Sequence, residues 1–466
     1  MKRAFLVVLL SLTGCAVGPD YERPAAVVSD SFKETPQNWK EAQPRDEIAR
    51  GAWWEIFGDA QLNTLVEKID VSNQTLAASE AQFRQATAAI GVARAPLFPS
   101  VDANLSINKS RSPTGAIGGT TAGRIFTQRS ASLAANWELD LWGRIRRGVE
   151  GAEASARASA GDLAAARLSL QAQLITDYFS LRLLDVQKKL FDDTVAAFQK
   201  SVELTTNRYK VGVAAKSDVV LADAQLKSTL VQAVDLGVQR AQFEHAVAIL
   251  TGVPPSQLSL ASQPTYSAAM PAIPPGLPSE LLERRPDIAA AERRVAAANA
   301  QIGVTKAAWF PSLTLSANSG FRSADASTWF TSPTYFWSIG PAIVQSLFDA
   351  GLRRSQTEQA IAAYDATVAN YRQTTLVALQ EVEDNLAALR ILEEEAKLQQ
   401  DSVDAATLSV QLTVNQYKAG TVSYLNVVTV QATLLNEQRV AVNILNRRLA
   451  AAVALVRAIG GGWQAQ

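Results

Sequence analysis

The sequence predicts a mainly helical chain that carries four β-strands of transmembrane length and is built from two copies of one motif. Residues 143–210 and 351–418 each run for 68 residues without proline and are rich in Ala, Leu, Gln, Glu and Arg, which favours helix. Before each of these segments, apolar and polar residues alternate, as they do in a strand with two different faces. Short motifs recur in the second half in the same order as in the first, so we expect a duplicated fold.

The composition argues against several classes of protein. The 466 residues include 44 basic and 44 acidic side chains, one cysteine and one histidine, and 48% of the residues are apolar. Zero formal charge argues against nucleic acid as a partner, and the apolar content argues against disorder. With one Cys and one His, neither a disulfide framework nor a Cys/His metal cluster is expected. The sequence shows no phosphate loop or nucleophile elbow, so neither an enzyme nor a bound cofactor is predicted.

The N-terminus has the features of an export signal. Lys2 and Arg3 precede an apolar stretch over residues 4–12, which is too short to span a bilayer as a helix. Leu12-Thr13-Gly14-Cys15 then resembles the lipobox of bacterial lipoproteins. That resemblance implies cleavage before Cys15, a diacylglycerol on its sulfur and an acyl chain on its amino group, and Ala16 implies the outer membrane. A buried cysteine within an ordinary signal peptide is the alternative.

The duplication rests on motifs that keep their order and nearly keep their spacing. Ile90-Gly91-Val92 and Phe98-Pro99-Ser100 recur 212 residues later as Ile302-Gly303-Val304 and Phe310-Pro311-Ser312. Tyr209-Lys210-Val211-Gly212 recurs 208 residues later as Tyr417-Lys418-Ala419-Gly420. Only two long copies occur, so the sequence predicts a duplicated domain and not an array of short repeats.

Each copy is predicted to contain a helix, a hairpin, a very long helix and a further helix. Residues 63–94 lack proline and favour the first helix, which Pro96 and Pro99 would end. Strands are predicted where apolar and polar residues alternate, over residues 101–108, 131–140 and 313–318, and a fourth has an apolar side at Tyr335, Trp337, Ile339 and Ile343. The Gly-, Ser- and Thr-rich residues 110–127 predict an exposed loop.

The four strands are interpreted as membrane strands. Each full strand is expected to have about ten residues or slightly more, enough for a tilted crossing. No run of 18 apolar residues follows Cys15 that could cross as a helix. Aromatic residues crowd the strand ends, as in interfacial girdles: Phe98, Phe126, Trp142, Trp309, Phe310, Trp329, Phe330 and Tyr335. Soluble amphipathic hairpins are the alternative. Four strands cannot close a barrel, because the smallest have eight, so closure demands an oligomer, and three copies would give 12 strands.

The long helices predict a second compartment. At 1.5 Å per residue each would measure ~100 Å, which suits neither a bilayer nor a compact domain. Apolar residues after residues 219 and 427 recur at intervals of three, four or seven, as in a coiled coil, and the opposite faces are polar. We therefore expect the helices to pack side by side away from the membrane, as a tube with a wet interior.

Essentially the whole chain resembles the outer-membrane factor family, the TolC/OprM-like exit ducts of tripartite efflux systems. The resemblance is carried by residues 15–24, by Trp53-Trp54 with Phe57 and Asp59, by Leu282-Glu283-Arg284-Arg285-Pro286-Asp287-Ile288, and by Gly460-Gly461-Gly462-Trp463. The lipobox and the Arg-Pro-Asp-Ile segment resemble the NodT-type lipoprotein branch of RND efflux systems. The resemblance implies a homotrimer in the outer membrane of a Gram-negative bacterium, with a shared 12-stranded barrel and a helical tunnel. It also implies contacts with outer-membrane lipid, a periplasmic adaptor (membrane fusion) protein and an inner-membrane RND pump.

This resemblance also implies a division of the chain. The segments are a signal peptide (1–14), a lipid-anchored N-terminal segment (15–60), the first repeat (61–252), a linker (253–285), the second repeat (286–459) and a C-terminal tail (460–466).

The resemblance further implies a gate where the two Tyr-x-x-Gly segments turn. The implied gate residues are Tyr209, Gly212, Asp218, Tyr417, Lys418, Gly420, Leu425, Asn426 and Thr429. Asp218 and Tyr417 match partners in the network that holds the gate shut, and Leu425 matches a hydrophobic constriction. A plain helix N-cap is the alternative for Asp218. Val422 replaces the arginine of the pattern, and Asn426 and Thr429 occupy positions that can carry aspartates, so weak block by divalent cations is predicted.

The predicted function is a passive exit channel for drugs or other small molecules. An exit channel for secreted protein and a lipid-anchored coiled coil without a pore are the alternatives. The sequence has no nucleotide site, so a partner is expected to supply the energy.

Overall fold

The computed structural model describes residues 16–26, 32–33, 51–111, 125–267, 270–271 and 284–461. The predicted signal peptide, Cys15 and residues 462–466 lie outside the described residues, as do parts of the predicted segments 15–60 and 253–285. The chain divides into two compact units. The strand unit comprises the described residues of 1–25, 82–160 and 290–371, and the helix unit comprises those of 26–81, 161–289 and 372–466.

The helices confirm the predicted alternation of short and very long segments. They are α1 (Ala60–Ser72), α2 (Gln74–Arg94), α3 (Arg144–Lys210), α4 (Lys216–Leu250), α5 (Pro286–Ala307), α6 (Leu352–Ala419) and α7 (Tyr424–Ala458). The two longest, α3 and α6, contain 67 and 68 residues, as expected from their lack of proline. Among the described residues, no helix combines the length and apolar character that crossing a membrane requires.

The single helix predicted over residues 63–94 was wrong, because the structure interrupts it at Asn73. The side-chain oxygen of Asn73 accepts the N–H of Leu76 at 2.9 Å, and its amide donates to the carbonyl of Leu250 at 2.8 Å. Asparagine suits this position because it offers both an acceptor for a helix start and a donor for a neighbour. Neither proline nor glycine occurs at the break, so the composition of residues 63–94 does not predict it.

The four predicted strands form one antiparallel sheet. They are β1 (Ser100–Arg111), β2 (Ile125–Leu139), β3 (Ser312–Ser323) and β4 (Tyr335–Val344), in the order β1-β2-β3-β4. The hairpins of the two repeats are joined through β2 and β3, where Ala135 lies opposite Ala317. One face of the sheet carries exposed apolar side chains on its edge strands, at Val101, Leu105, Trp337, Ile339 and Ile343.

The loop predicted over residues 110–127 begins later and ends earlier than expected. Ser110 pairs with Phe126 and Arg111 with Ile125, so both ends belong to strands, and residues 112–124 lie outside the described residues. Strand pairing overrides the local preference of Ser and Thr, because each added pair satisfies backbone hydrogen-bonding groups.

The core of the helix unit lies around the start of α1 and the middle of α3. Trp53, Phe57, Tyr178 and Phe179 are buried there together. A buried carboxylate, Asp185, accepts hydrogen bonds from Arg240 at 2.7 Å, from Ser262 at 3.0 Å and from the backbone N–H of Gln263 at 3.0 Å. These donors compensate the cost of burying its charge and fasten residues 262–263 to α3 and α4.

The predicted apolar seams are confirmed in part. Ala222, Ala233 and Val247 of α4 are buried, as are Val427, Ala452 and Val456 of α7. Leu230, which the spacing also placed in the seam, is 39% exposed. Spacing identifies a face of the helix, but the neighbours available within one chain decide how much of that face is covered.

Candidate functional site at the helix turns

The predicted gate lies at two turns, each of which joins a very long helix to its partner helix. The first tip turn, residues 209–218, leads from α3 to α4, and the second, residues 417–429, leads from α6 to the start of α7. Gly212 has φ 79° and Gly420 has φ 80°, the left-handed conformation that ends a helix and favours glycine. The sequence prediction of a glycine-dependent turn is therefore confirmed in both repeats.

Backbone hydrogen bonds close the two tip turns in the same way. The N–H groups of Gly212 and Val213 donate to the carbonyls of Tyr209 and Arg208 at 2.9 and 2.8 Å. In the second tip turn, the N–H groups of Gly420 and Thr421 donate to Tyr417 and Gln416 at 3.0 and 3.1 Å. This pair of bonds is the Schellman arrangement, so the duplication extends to individual hydrogen bonds.

An aromatic pair fills the second tip turn. The rings of Tyr417 and Tyr424 meet edge to face with their centroids 5.4 Å apart, an arrangement favoured by the charge distribution of the rings. Both are buried together with Val427 and Val428, and Val422 packs against the cluster. Val422 stands where the resemblance has an arginine, so an apolar contact occupies the position of that charge.

Arg208 joins the two tip turns. Its guanidinium lies over the ring of Tyr417, 4.9 Å from the centroid, and its Nη1 donates to the carbonyl of Lys418 at 3.2 Å. The first contact is a cation–π interaction. Sequence reasoning missed Arg208, although the signal was present: the equivalent residue of the second repeat is Gln416.

The structure corrects the N-cap alternative for Asp218. The residue that caps α4 is Ala215, and Asp218 lies within the first turn of the helix, where the helix dipole favours a negative charge. Burial raises the pKa of Tyr417, the charge of Arg208 acts against this rise, and the charge of Asp218 adds to it. Among the described residues, no hydrogen bond joins the Asp218 carboxylate to Tyr417, so its role in a closing network stays a prediction.

The remaining predicted gate residues present uncharged groups, apart from Lys418. Leu425 and Asn426 are exposed at the start of α7, and so is Thr429, whose hydroxyl donates to the carbonyl of Leu425 at 3.0 Å. Lys418 is exposed as well. Across the described part of the chain, no group of three or more His, Cys, Asp or Glu residues could hold a metal ion.

Comparisons with known proteins show what the chain as a whole is similar to. The model of the family described as "Outer membrane efflux protein" matches residues 65–253 and again residues 277–461. The probable efflux pump outer membrane protein TtgC of Pseudomonas putida KT2440 is 32% identical over 460 residues, which cover 98% of this chain and 94% of TtgC. The pyoverdine export outer membrane protein OpmQ of Pseudomonas aeruginosa PAO1 is 31% identical over 441 residues, 93% of each chain. The solved outer-membrane channel OprN has a TM-score of 0.87 and 31% identity, covering 96% of this chain and 100% of OprN.

Proposed function

The chain belongs to the outer membrane efflux protein family, and we propose that it works as a trimer that receives small molecules from a periplasmic adaptor and an inner-membrane RND pump. Its fold is that of the TolC-like outer membrane channels. It is an outer-membrane efflux channel of Gram-negative bacteria, and its relatives are channel proteins rather than enzymes. The trimer, the two partners and the identity of the cargo are the proposal.

The main support for the trimer comes from β1 and β4, the two edge strands of the sheet. Within the described residues, β1 pairs only with β2, and β4 pairs only with β3. An unpaired edge with an exposed apolar face is a template for another strand, and in a membrane such an edge must be closed. Three copies of a four-stranded sheet provide the 12 strands of a closed barrel.

The internal duplication supplies a register for the contact between copies. Trp137 Nε1 donates to the carbonyl of Leu97 at 2.9 Å, and Gln345 Nε2 donates to the carbonyl of Trp309 at 3.1 Å. The two bonds join equivalent positions of the two repeats: the donors are 208 residues apart in the sequence, and the acceptors are 212 residues apart. Ala135 of β2 lies opposite Ala317 of β3. The residue 208 positions after Ala135 is Ile343 of β4, and the residue 212 positions before Ala317 is Leu105 of β1. We therefore expect Ile343 to lie opposite Leu105 of a neighbouring copy.

Cysteine crosslinking tests the trimer and its register. The Ile343→Cys, Leu105→Cys double variant should form covalent trimers on oxidation, because directly opposite residues have Cβ atoms within about 5.5 Å. The control pairs Ile343→Cys with Ile107→Cys, a two-residue displacement that lengthens the separation to about 7–8 Å. Equal crosslinking of both pairs, or crosslinked dimers alone, would contradict the proposed closure.

The cargo is proposed to be small molecules, exported passively. The relatives named for toluene efflux and pyoverdine export support this choice over secreted protein. Purified protein in planar bilayers should conduct ions without an energy source, whereas a coiled coil without a pore would not.

Asn426 and Thr429 leave no acidic ring at the second tip turn, so we expect weak block by divalent cations. The Asn426→Asp variant should strengthen that block, and strong block of the unmodified channel would contradict this assignment.

Lipidation of Cys15 is also part of the proposal. Its support is the lipobox-like sequence Leu12-Thr13-Gly14-Cys15. Mass spectrometry of the N-terminal peptide of the mature protein tests it directly.

A further inference from the structure

The first described residues of the chain form a strap that is fixed to the strand unit. The N-terminal strap, residues 16–21, donates the backbone N–H of Val17 to the carbonyl of Trp142 at 3.0 Å. Its Pro19 carbonyl accepts from Asn299 at 3.0 Å. Asp20 forms an ion pair with the buried Arg147 at 2.9 Å. Contacts from residues 17, 19 and 20 determine both the position and the direction of the strap.

Two close backbone approaches narrow the path of the strap further. Gly18 lies so close to Gly303 that a Cβ at position 18 would be 2.5 Å from the Gly303 Cα. Ala16 lies against Gly143, where an added Cβ would be 2.9 Å from the Ala16 Cα. Because consecutive Cα atoms are only about 3.8 Å apart, a lipid carried by Cys15 would leave the chain next to this fixed point.

An apolar cleft opens beside the strap. It has a volume of about 460 Å³, and its lining includes Val17 of the strap and the large rings of Trp309 and Phe310. These two rings are 46% and 40% exposed, although a partner holds each of them in place. Trp142 stacks on Phe310 with centroids 4.7 Å apart, and Trp309 Nε1 donates to the Thr357 hydroxyl at 3.2 Å. The cleft is therefore preformed and apolar.

Basic side chains add a second kind of contact. Lys306 and Arg354 also line the cleft, together with Glu358, whose carboxylate pairs with Arg354 at 2.9 Å. The long side chains of the two basic residues can cover apolar surface while their charged ends stay in water. The apolar wall of such a cleft suits an acyl chain, and its basic groups suit the phosphates of neighbouring membrane lipids. A polar small molecule would find few partners on the rings of Trp309 and Phe310.

We propose that this cleft seats an acyl chain of the lipid on Cys15. The inference rests on the proposed lipidation, and the occupant is chosen because Val17, two residues from Cys15, forms part of the wall. The strap and the cleft together would hold the lipid anchor at the junction between the sheet and its helices. The anchor is then a packed element of the fold and not a free tether.

Photocrosslinking tests the seat. Cells grown with a diazirine-bearing fatty acid incorporate it into their lipoproteins, and the full-length mature protein is purified, irradiated, digested and examined by mass spectrometry. We expect the acylated N-terminal peptide to crosslink to the peptide that contains Trp309 and Phe310. The Trp309→Ser variant should lower this yield by roughly tenfold, the scale of losing one or two buried methylene contacts. The Trp337→Ser variant removes an equally large exposed ring from β4 and should leave the yield unchanged.

The outcomes separate the seat from the lipidation. A lipidated Cys15 whose crosslinks map elsewhere overturns the seat and leaves the lipidation standing. Crosslinking of the Trp309 peptide by an added photoreactive phospholipid, but not by the chain on Cys15, assigns the cleft to bilayer lipid and also overturns the seat. An N-terminal peptide without lipid overturns both.

Discussion

The two tip turns have the same backbone and opposite side-chain environments. Tyr209 and Tyr417 occupy equivalent positions before glycines with nearly equal φ, yet Tyr209 is 44% exposed and Tyr417 only 4%. Val211 and Val213 of the first tip turn are also exposed, whereas Tyr424 of the second is buried. The two copies share the backbone conformation of the turn, but the residues around each turn determine whether its tyrosine is buried.

The difference between the turns arises from residues outside the shared motif. Arg208 belongs to the first repeat but covers the tyrosine of the second, and Gln416 provides no equivalent cover for Tyr209. Within one chain, therefore, the second tip turn is packed and the first is exposed. Substitutions at equivalent positions of the two tip turns test this difference.

The largest expected effect is the loss of the buried ring. Tyr417→Ala should destabilise the second tip turn by about 3–5 kcal/mol, the usual cost of truncating a buried aromatic residue. The measured loss cannot exceed the free energy that opening this turn requires in the unmodified protein. Tyr209→Ala, the matched control, should cost about 0.5 kcal/mol or less because its ring is exposed. Hydrogen exchange at the amides of each turn measures the two effects, and entry of a large antibiotic into cells reports leak. Equal loss of protection in both variants would remove the distinction between the turns.

A smaller effect is expected from Arg208. Arg208→Ala removes the cation–π contact and the bond to Lys418, which together should cost about 1–2 kcal/mol. Arg208→Lys keeps the charge but loses the planar group that stacks on the ring, so it should restore only part of the protection. Exchange rates at residues 417–421 distinguish the two variants. Full rescue by lysine would mean that charge alone matters and that stacking does not.

The sequence was sufficient to predict the fold, but only part of the candidate site. The resemblance located both turns at the Tyr-x-x-Gly segments, where glycine suits the backbone of a turn, and the absence of proline located α3 and α6, because both signals act through the local backbone. The burial of Tyr417 and the position of Arg208 depend on packing between residues about 210 apart, which no local pattern encodes. Asn73 was missed for the same reason, since its amide is held by Leu250 from a distant helix. Within residues 207–210 and their equivalents 415–418, only Arg208 and Gln416 differ, so comparing these two segments would have drawn attention to Arg208.

The smallest expected effect concerns the phenol of Tyr417 and appears only in alkali. The pKa of Tyr417 is raised, mainly by burial, and the folded turn therefore holds its proton more tightly than the open turn does. The stability that results is present at neutral pH and is lost as pH rises above the ordinary tyrosine range, because the open turn then binds fewer protons than the closed one. Tyr417→Phe keeps the ring against Arg208 and Tyr424 but cannot ionise, so its second tip turn should lose less protection between neutral and alkaline pH. Hydrogen exchange of the same amides is measured across that pH range. The amides of the first tip turn, in the same molecules, serve as the control. If the phenylalanine variant opened with the same pH dependence as the tyrosine protein, ionisation of Tyr417 would not be the cause, and the packed turn would owe its stability to ring contacts alone.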